Sequence, residues 1–464
     1  MHPNRRLFLA GSAAAAATAV LPGCATPGAA AVPAADRAAV PQPFFVQQAR
    51  QKLLPRGKAP RIVICGGGWG GVTVAQNLRK TAPQAEVVLL ERNPVFFSSP
   101  LSNLWLVDLA PTQFLTHDYL TVSERHGWRF FQAEVTQVDR ARRLVHTSLG
   151  QLDYDWLILA PGIRYHYEAW FGNDRAAADA TRQRFPSAYA SNAEHWGIKR
   201  ALHEFKGGEW VMNLPPPPQR CPPSPYERAC MIAWHFKKHG IKARLTILDH
   251  KPDITPIGPG YHAAFRELYK DIITYVPNAH VQEVDPFNKR IRTSAGDMRF
   301  DHAVLMAPHQ AGDLAWQADA IGLTPQGQAT GWADIDPLKL HLRHDDRCYV
   351  IGDAIGRVSN LPFGFYPKSA HVANRLGRIV AYFIGERIAG RTPGTRLPDN
   401  LCYMAVNGDP AEAINVQFDY KLNDQGQIVQ QQIDFNERSA RLFKDDFLWA
   451  GHMFHEMFGT PKPA

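Results

Sequence analysis

The feature that most constrains this chain is the run RIVICGGGWGGVTVAQNLRKTAPQAEVVLLER, residues 61–92. An apolar stretch ends on Gly66-x-Gly68-x-x-Gly71, an amphipathic segment follows, and a second apolar stretch ends on Glu91, twenty residues after the last glycine. In that order these are a buried strand, a tight turn, a helix and a second strand, the opening of a Rossmann unit. Glycine lets the backbone approach a pyrophosphate, and the helix N-terminus turns unpaired N–H groups toward that charge. Glu91, with Arg92 beside it, accepts hydrogen bonds from a ribose. The expected ligand is a dinucleotide. Cys65, inside the first strand, reads as a small buried hydrophobe.

The chain has 464 residues, enough for two or three domains. Its net charge of +8 is scattered rather than gathered in blocks, which argues against a nucleic-acid partner. Asn4-Arg5-Arg6-Leu7-Phe8-Leu9 fits the twin-arginine export pattern, and the Ala-rich stretch to Leu21 is too short for a membrane span. Residues 1–24 are therefore expected to be a signal that sends an already folded, cofactor-loaded protein to the periplasm. Leu21-Pro22-Gly23-Cys24 also fits a lipobox that would lipidate Cys24, the alternative being a chance match in a small-residue cleavage region. Residues 25–59 read as an Ala/Pro-rich tether, with 41–50 a candidate to pack on the body.

Two later segments say which dinucleotide. YDWLILAPGIRY (154–165) is an apolar strand ending on Ala160-Pro161-Gly162, and RCYVIGDAIG (347–356) ends on Gly352-Asp353. Both resemble the later fingerprints of the two-dinucleotide-binding-domain flavoproteins. That resemblance implies FAD, with Asp353 on the ribityl chain and a following helix whose positive end favours the anionic reduced ring. The alternative for Asp353 is a turn-capping carboxylate. The expected fold is α/β: two Rossmann-like, glutathione-reductase-like domains plus a C-terminal α+β flavin-binding and interface domain. Residues 60–193 and 309–390 form the FAD domain, 194–308 the second Rossmann-like unit, and 391–464 the C-terminal domain.

The second unit has a strand (GGEWVMNLP), a helix (PYERACMIAWHFKKHG) and a strand (ARLTILDH), but its first turn is PPPPQRCPP, residues 215–223. Prolines lack the N–H groups that cradle a pyrophosphate, so the chain is not expected to take hydride from NADH. RCPPSPYERA, GGGWGG, PLSN, the Gly-Asp motif and PKSAHVANRLGRIVA together resemble the flavoprotein subunit of flavocytochrome c sulfide dehydrogenase, a relative of sulfide:quinone oxidoreductase. The resemblance runs over nearly everything after Pro60 and implies that sulfide attacks a redox disulfide beside FAD, with electrons passing to a c-type cytochrome subunit.

By that resemblance Cys221 is one redox cysteine. A helix N-terminus, Arg220 and Arg228 would depress its pKa, and the thiolate is the reactive form; the alternative is an inert buried cysteine. The family's second cysteine falls at Ala333, so that disulfide is absent. Cys230, placed nine residues on along the same helix, Cys348 and Cys402 are poor replacements. The family attaches FAD through a cysteine four residues before the asparagine of its LSN motif. Here that position is Ser99, ahead of Asn103, so FAD is expected to be held non-covalently. Lys368 is a candidate to hold negative charge on reduced flavin, or else a surface lysine, and Glu227 and His371 are candidate proton carriers. His235 and His239 lack a third ligand, so no metal site is read. No Cys-x-x-Cys-His occurs, which puts any haem on a partner. The aromatic C-terminus, FKDDFLWAGHMFHEMFGTPKPA, is expected to pack on the protein or a cytochrome subunit, a bilayer being the alternative. Three readings follow: a sulfur-compound oxidoreductase with a cytochrome acceptor, a membrane-associated quinone reductase, and an electron-transfer subunit without sulfide chemistry.

Overall fold

The computed structural model describes residues 50–358 and 360–463. The expected export signal, Cys24 and the tether as far as residue 49 lie outside the described residues.

Strand β1 (Arg61–Cys65) is buried along its whole length, as the apolar run requires of a strand covered on both faces. Helix α1 (Trp69–Thr81), β2 (Glu86–Glu91), β3 (Arg129–Gln132) and β4 (Trp156–Leu159) follow. The chain then leaves to build the second unit. There β5 (Gly208–Leu214), α2 (Ser224–Lys238), β6 (Ala243–Asp249), β7 (Ile273–Val276) and β8 (His302–Leu305) give a parallel sheet ordered β7-β6-β5-β8. It returns with β9 (Asp345–Val350), which pairs in parallel with β4 and completes the first sheet as β9-β4-β1-β2-β3, with the short strand His341–Leu342 on its edge. Helix α3 (Ala370–Ile388) then packs across α1, close enough that a Cβ on Gly377 would lie 2.6 Å from the Gly70 carbonyl oxygen. A three-stranded antiparallel sheet, β10 (Asp399–Gly408), β11 (Ala411–Leu422) and β12 (Ile428–Ser439), leads into α4 (Ala440–Phe458). The two Rossmann-like units and the C-terminal α+β layer are those expected.

The apolar side of α4 is covered by the protein itself. Met453, Phe454, Met457 and Phe458 are buried, and Phe454 and Phe458 pack on Trp69, Phe96 and His117. No helix among the described residues is long and apolar enough to cross a membrane.

The tether ends earlier than its composition suggested. Leu53 donates its N–H to the Gln151 carbonyl at 2.8 Å, and Arg56 reaches Asp153 (2.9 Å) and Asp155 (2.5 Å). Arg61 is wholly buried between Glu86 (2.6 Å), Asp153 (2.8 Å) and the Pro55 carbonyl, which ties this arm to the first sheet. Removing one member of a buried ion pair strands its partners, although both carboxylates here keep some solvent. Arg61→Ala is expected to lower stability by about 3 kcal/mol, read as a shift in the denaturant midpoint of the holoprotein with unchanged slope.

Candidate active site

A cleft opens at the C-terminal ends of the first sheet's strands. Gly66, Gly68, Glu91, Arg92, Ser99, Ala160, Gly162, Gly352 and Asp353 all line it. The turn after β1 is as tight as backbone allows: a Cβ on Gly71 would be driven into the Gly66 carbonyl oxygen, and one on Gly66 into the Ala160 carbonyl. Gly66 also has φ +110°, outside the range of ordinary residues. Glu91 accepts the Gly67 N–H at 2.7 Å and the Asn93 N–H at 2.9 Å, so its carboxylate is fixed at the rim. Ala370 and Ala373 of α3 line the cleft too, which brings the first turn of that helix to it; Ser369 caps it by accepting the Val372 N–H.

These residues fit a dinucleotide. Asp353 is buried, its Oδ2 is 3.0 Å from Arg220 Nε, and its Oδ1 has no partner. A buried carboxylate oxygen left unpaired at a cleft wall is an acceptor waiting for a hydroxyl, as the ribityl chain of FAD provides. Arg220 is the residue that sequence reasoning undervalued. Besides Asp353 it donates to Ser99 Oγ (3.1 Å) and to the Tyr189 carbonyl, and its own N–H is accepted by His309 Nδ1 at 3.0 Å. The proline-rich loop is thereby pinned to the cleft. The signal was a cation adjoining the candidate cysteine, but its carboxylate partner lies 133 positions further along the chain.

Asn103 stands elsewhere. It does not line the cleft; its Nδ2 donates to Glu227 Oε2 at 2.7 Å and its Oδ1 accepts from Arg228 Nε at 3.0 Å. Its place as a cofactor residue is thus corrected to that of a brace for α2.

Lys368 is buried, not on the surface. Its Nζ donates to the carbonyls of Asp353 (2.9 Å) and Ile355 (2.8 Å) and lies 3.8 Å from the Trp332 ring centroid. Burial pulls its pKa down to about 7, with Asp353 partly opposing. Its ammonium charge is therefore present below about pH 7 and lost above it. The midpoint potential of bound FAD is expected to fall more steeply as pH rises through that range, and Lys368→Met to remove the extra slope, measured by dye-equilibrated potentiometry.

Cys221 departs from expectation in two ways. It precedes α2 by three residues and has φ +48°, so it is not on the helix, and Cys230 is fully buried within it. Its pKa is raised rather than depressed: burial is the main cause, Cys402 and Glu227 add to it, and Arg220 only partly offsets them. Arg220 and Arg228 are turned to other partners, Asp353 and the Ser187 carbonyl among them. The loop faces two small cavities adjoining the cleft. One is almost wholly apolar, with Pro222, Phe365 and Phe418 among its walls; the other holds Glu227, Lys368, His371 and Asp446. Glu227 accepts N–H groups from Asn103 and Ala405 (3.1 Å), and burial raises its pKa to about 7. Asp446 is raised as well, by burial and then by Glu227. His371 is held between Trp449 Nε1 (3.0 Å) and Asp399 (3.2 Å), and burial lowers its pKa. Cys65 and Cys348 lie buried in β1 and β9, and Ala333 is buried beside Gly356, whose N–H its carbonyl accepts.

The glycine cradle, the unpaired carboxylate oxygen on the cleft wall and the second Rossmann-like unit fit FAD as the cofactor, and the chain is similar to the pyridine nucleotide-disulphide oxidoreductase family. That family matches residues 60–180, and residues 198–306 match the central region of the sulfide dehydrogenase (flavocytochrome c) flavoprotein chain. The chain is a relative of the sulfide dehydrogenase and sulfide:quinone oxidoreductase flavoproteins. It is 23% identical over 311 residues to the mitochondrial sulfide:quinone oxidoreductase of Mus musculus, covering 65% of this chain and 66% of that one. It is 24% identical over 239 residues to the sulfide-quinone reductase of Aquifex aeolicus, covering 49% and 53%. The alignments thus span between about half and just under two thirds of these relatives. The crystal structure of the Aquifex aeolicus sulfide:quinone oxidoreductase superposes with a TM-score of 0.67 over 88% of this chain and 93% of that one, at 16% identity, and shares the fold.

Proposed function

We propose that this chain oxidises sulfide or a related small sulfur compound at Cys221, with FAD held non-covalently, and passes the electrons to a c-type cytochrome subunit in the periplasm. One observation carries the reading: consecutive residues of the proline-walled loop serve two compartments. Arg220 is anchored to Asp353 and Ser99 in the dinucleotide cleft, while Cys221 faces the adjoining cavities. A sulfur nucleophile is thereby held at the boundary of the flavin site. Ser99, at the position of the family's attachment cysteine, is a hydroxyl and forms no thioether, which supports non-covalent binding.

FAD, when bound, supplies a two-electron acceptor. The chain's own residues handle sulfur and protons. Because burial keeps the Cys221 thiol protonated, it needs a base, and Glu227 lines the same cavity with a pKa near neutrality. Lys368 offers a cation at the same wall, hydrogen-bonded to the Asp353 carbonyl. The proline turn lacks the N–H groups of a second nucleotide cradle, which supports a sulfur donor over NADH. Periplasmic export rests on the Arg5-Arg6 pattern, and a lipid on Cys24 is a further proposal for membrane attachment.

Anaerobic addition of sulfide to the purified holoprotein tests the reading: the flavin absorbance is expected to bleach. If it stays and a cytochrome still binds, the chain is an electron-transfer subunit without sulfide chemistry. A quinone acceptor is the second reading, favoured by the names of the curated relatives and by Phe363, which is 40% exposed beside the apolar cavity. Parallel assays with cytochrome c and a short-chain ubiquinone decide between them, and cell fractionation tests the compartment.

A further inference from the structure

We propose that the thiol partner of Cys221 in this chain is Cys402, so that the redox pair joins the proline-walled loop to the first strand of the C-terminal sheet. The inference rests on the reading of Cys221 as the sulfur-handling residue and replaces the pairing that Ala333 forbids.

Cys221 and Cys402 line both of the cavities beside the cleft, the apolar one and the one that holds Glu227. Short hydrogen bonds hold them there from one dipeptide. The Lys368 carbonyl accepts the Cys221 N–H at 2.8 Å, while the neighbouring Ser369 hydroxyl donates to Asn400 Oδ1 at 2.6 Å. Asn400 Nδ2 in turn stands 3.4 Å from Cys402 Sγ. Glu227 takes the Ala405 N–H and so fastens β10 against the first turn of α2, beside the loop that carries Cys221. A negative charge on Cys402 would push the Cys221 pKa upward, and both thiols act on the Tyr261 hydroxyl, as close neighbours must. Neither sulfur is bonded to another cysteine in this state.

A second, independent observation points to a ligand in the same place. Gln219 is 3% exposed, lines the apolar cavity with both cysteines, and leaves both Oε1 and Nε2 without a partner. A buried, unsatisfied primary amide in an apolar enclosure costs stability unless something binds it. Its donor suits the sulfur anion that a disulfide exchange releases.

The chemistry balances with FAD as the oxidant. In the oxidised pair, hydrosulfide attacks Cys402 Sγ; the Cys221–Cys402 bond breaks, a persulfide forms on Cys402 and the electron pair goes to Cys221, which takes a proton. A second hydrosulfide attacks the outer persulfide sulfur and leaves as hydrogen disulfide, returning Cys402 to thiolate. The Cys221 thiol, its proton taken by Glu227, then closes the disulfide with the Cys402 thiolate; FAD, when bound, would accept the two electrons with that proton and one from solvent. The sum is two hydrosulfides, one FAD and two protons, one taken up at Cys221 and one from solvent, converted to neutral hydrogen disulfide (H2S2) and the fully reduced cofactor.

The test is a non-reducing peptide map of alkylated holoprotein, before and after anaerobic reduction with sulfide. In the oxidised protein a peptide pair joined at Cys221 and Cys402 is expected, and sulfide should make it disappear. Both cysteines fully alkylated in the oxidised protein, or Cys221 bridged to a different cysteine, would overturn the inference. Cys402→Ser, checked for folding by its flavin absorbance, should lose the peptide pair and about 100-fold in sulfide turnover; turnover at the wild-type rate would also overturn it. If sulfide fails to bleach the wild-type flavin, the functional reading falls, while the map of the air-oxidised protein still decides the pairing.

Discussion

Cys221→Ser should bind FAD with the same absorbance spectrum as the wild type yet be reduced by sulfide about 1000-fold more slowly or not at all. Serine matches the size of cysteine and accepts the left-handed φ no worse, so the loop keeps its anchors through Arg220 to Asp353 and Ser99. Only the sulfur is lost. Stopped-flow reduction under anaerobic conditions measures the effect, and a variant that keeps its rate would show that the donor reduces the flavin directly and that the cysteine is structural. The raised thiol pKa sharpens the expectation. With the thiol protonated at neutral pH by burial, reactivity depends on transfer of its proton, and Glu227→Gln should slow the same step without altering cofactor content.

The second large effect concerns the cradle. Gly71→Ala is expected to give protein with less than about a tenth of the wild-type FAD content, read from the ratio of flavin to protein absorbance, because the new methyl would occupy the space of the Gly66 carbonyl. The turn must then open, and the N–H groups at the start of α1 lose their aim. Gly68→Ala is the informative companion. No heavy atom lies within 4 Å of a Cβ built there, although the residue lines the cleft, so the fold tolerates the change and only the incoming cofactor meets it. The first variant should lose thermal stability along with colour; the second should keep its apoprotein stability and show weakened FAD binding by titration.

The parts of the site that were legible in the sequence are those whose physics is local. The strand, glycine turn, helix and Glu91 lie within 31 residues, and each imposes its conformation on its neighbours. The ends of β4 and β9 carry glycine where the backbone needs it, with Gly162 at φ +64° and Gly352 at φ +71°. What escaped was set by approach between distant segments. Arg220 looked like a cation that would acidify the adjacent thiol, but the fold turns it toward Asp353, and burial then governs the sulfur. Asn103 sits in a motif that suggests cofactor contact, yet its amide is spent on Glu227 and Arg228. Cys402 read as a poor replacement because it belongs to the C-terminal segment, and only the packing of β10 on α2 brings it to the cavities that Cys221 lines.

The interrupted first sheet has a temporal consequence. Its fifth strand, β9, hydrogen-bonds to β4 only after the whole second unit has been made, and the carboxylate expected to grip the ribityl chain follows three residues behind it. A ribosome carrying the first three hundred residues therefore holds a half-site that still lacks Gly352 and Asp353. Flavin capture is accordingly expected to be completed late, once β9 has joined the two stretches of chain that build the first sheet.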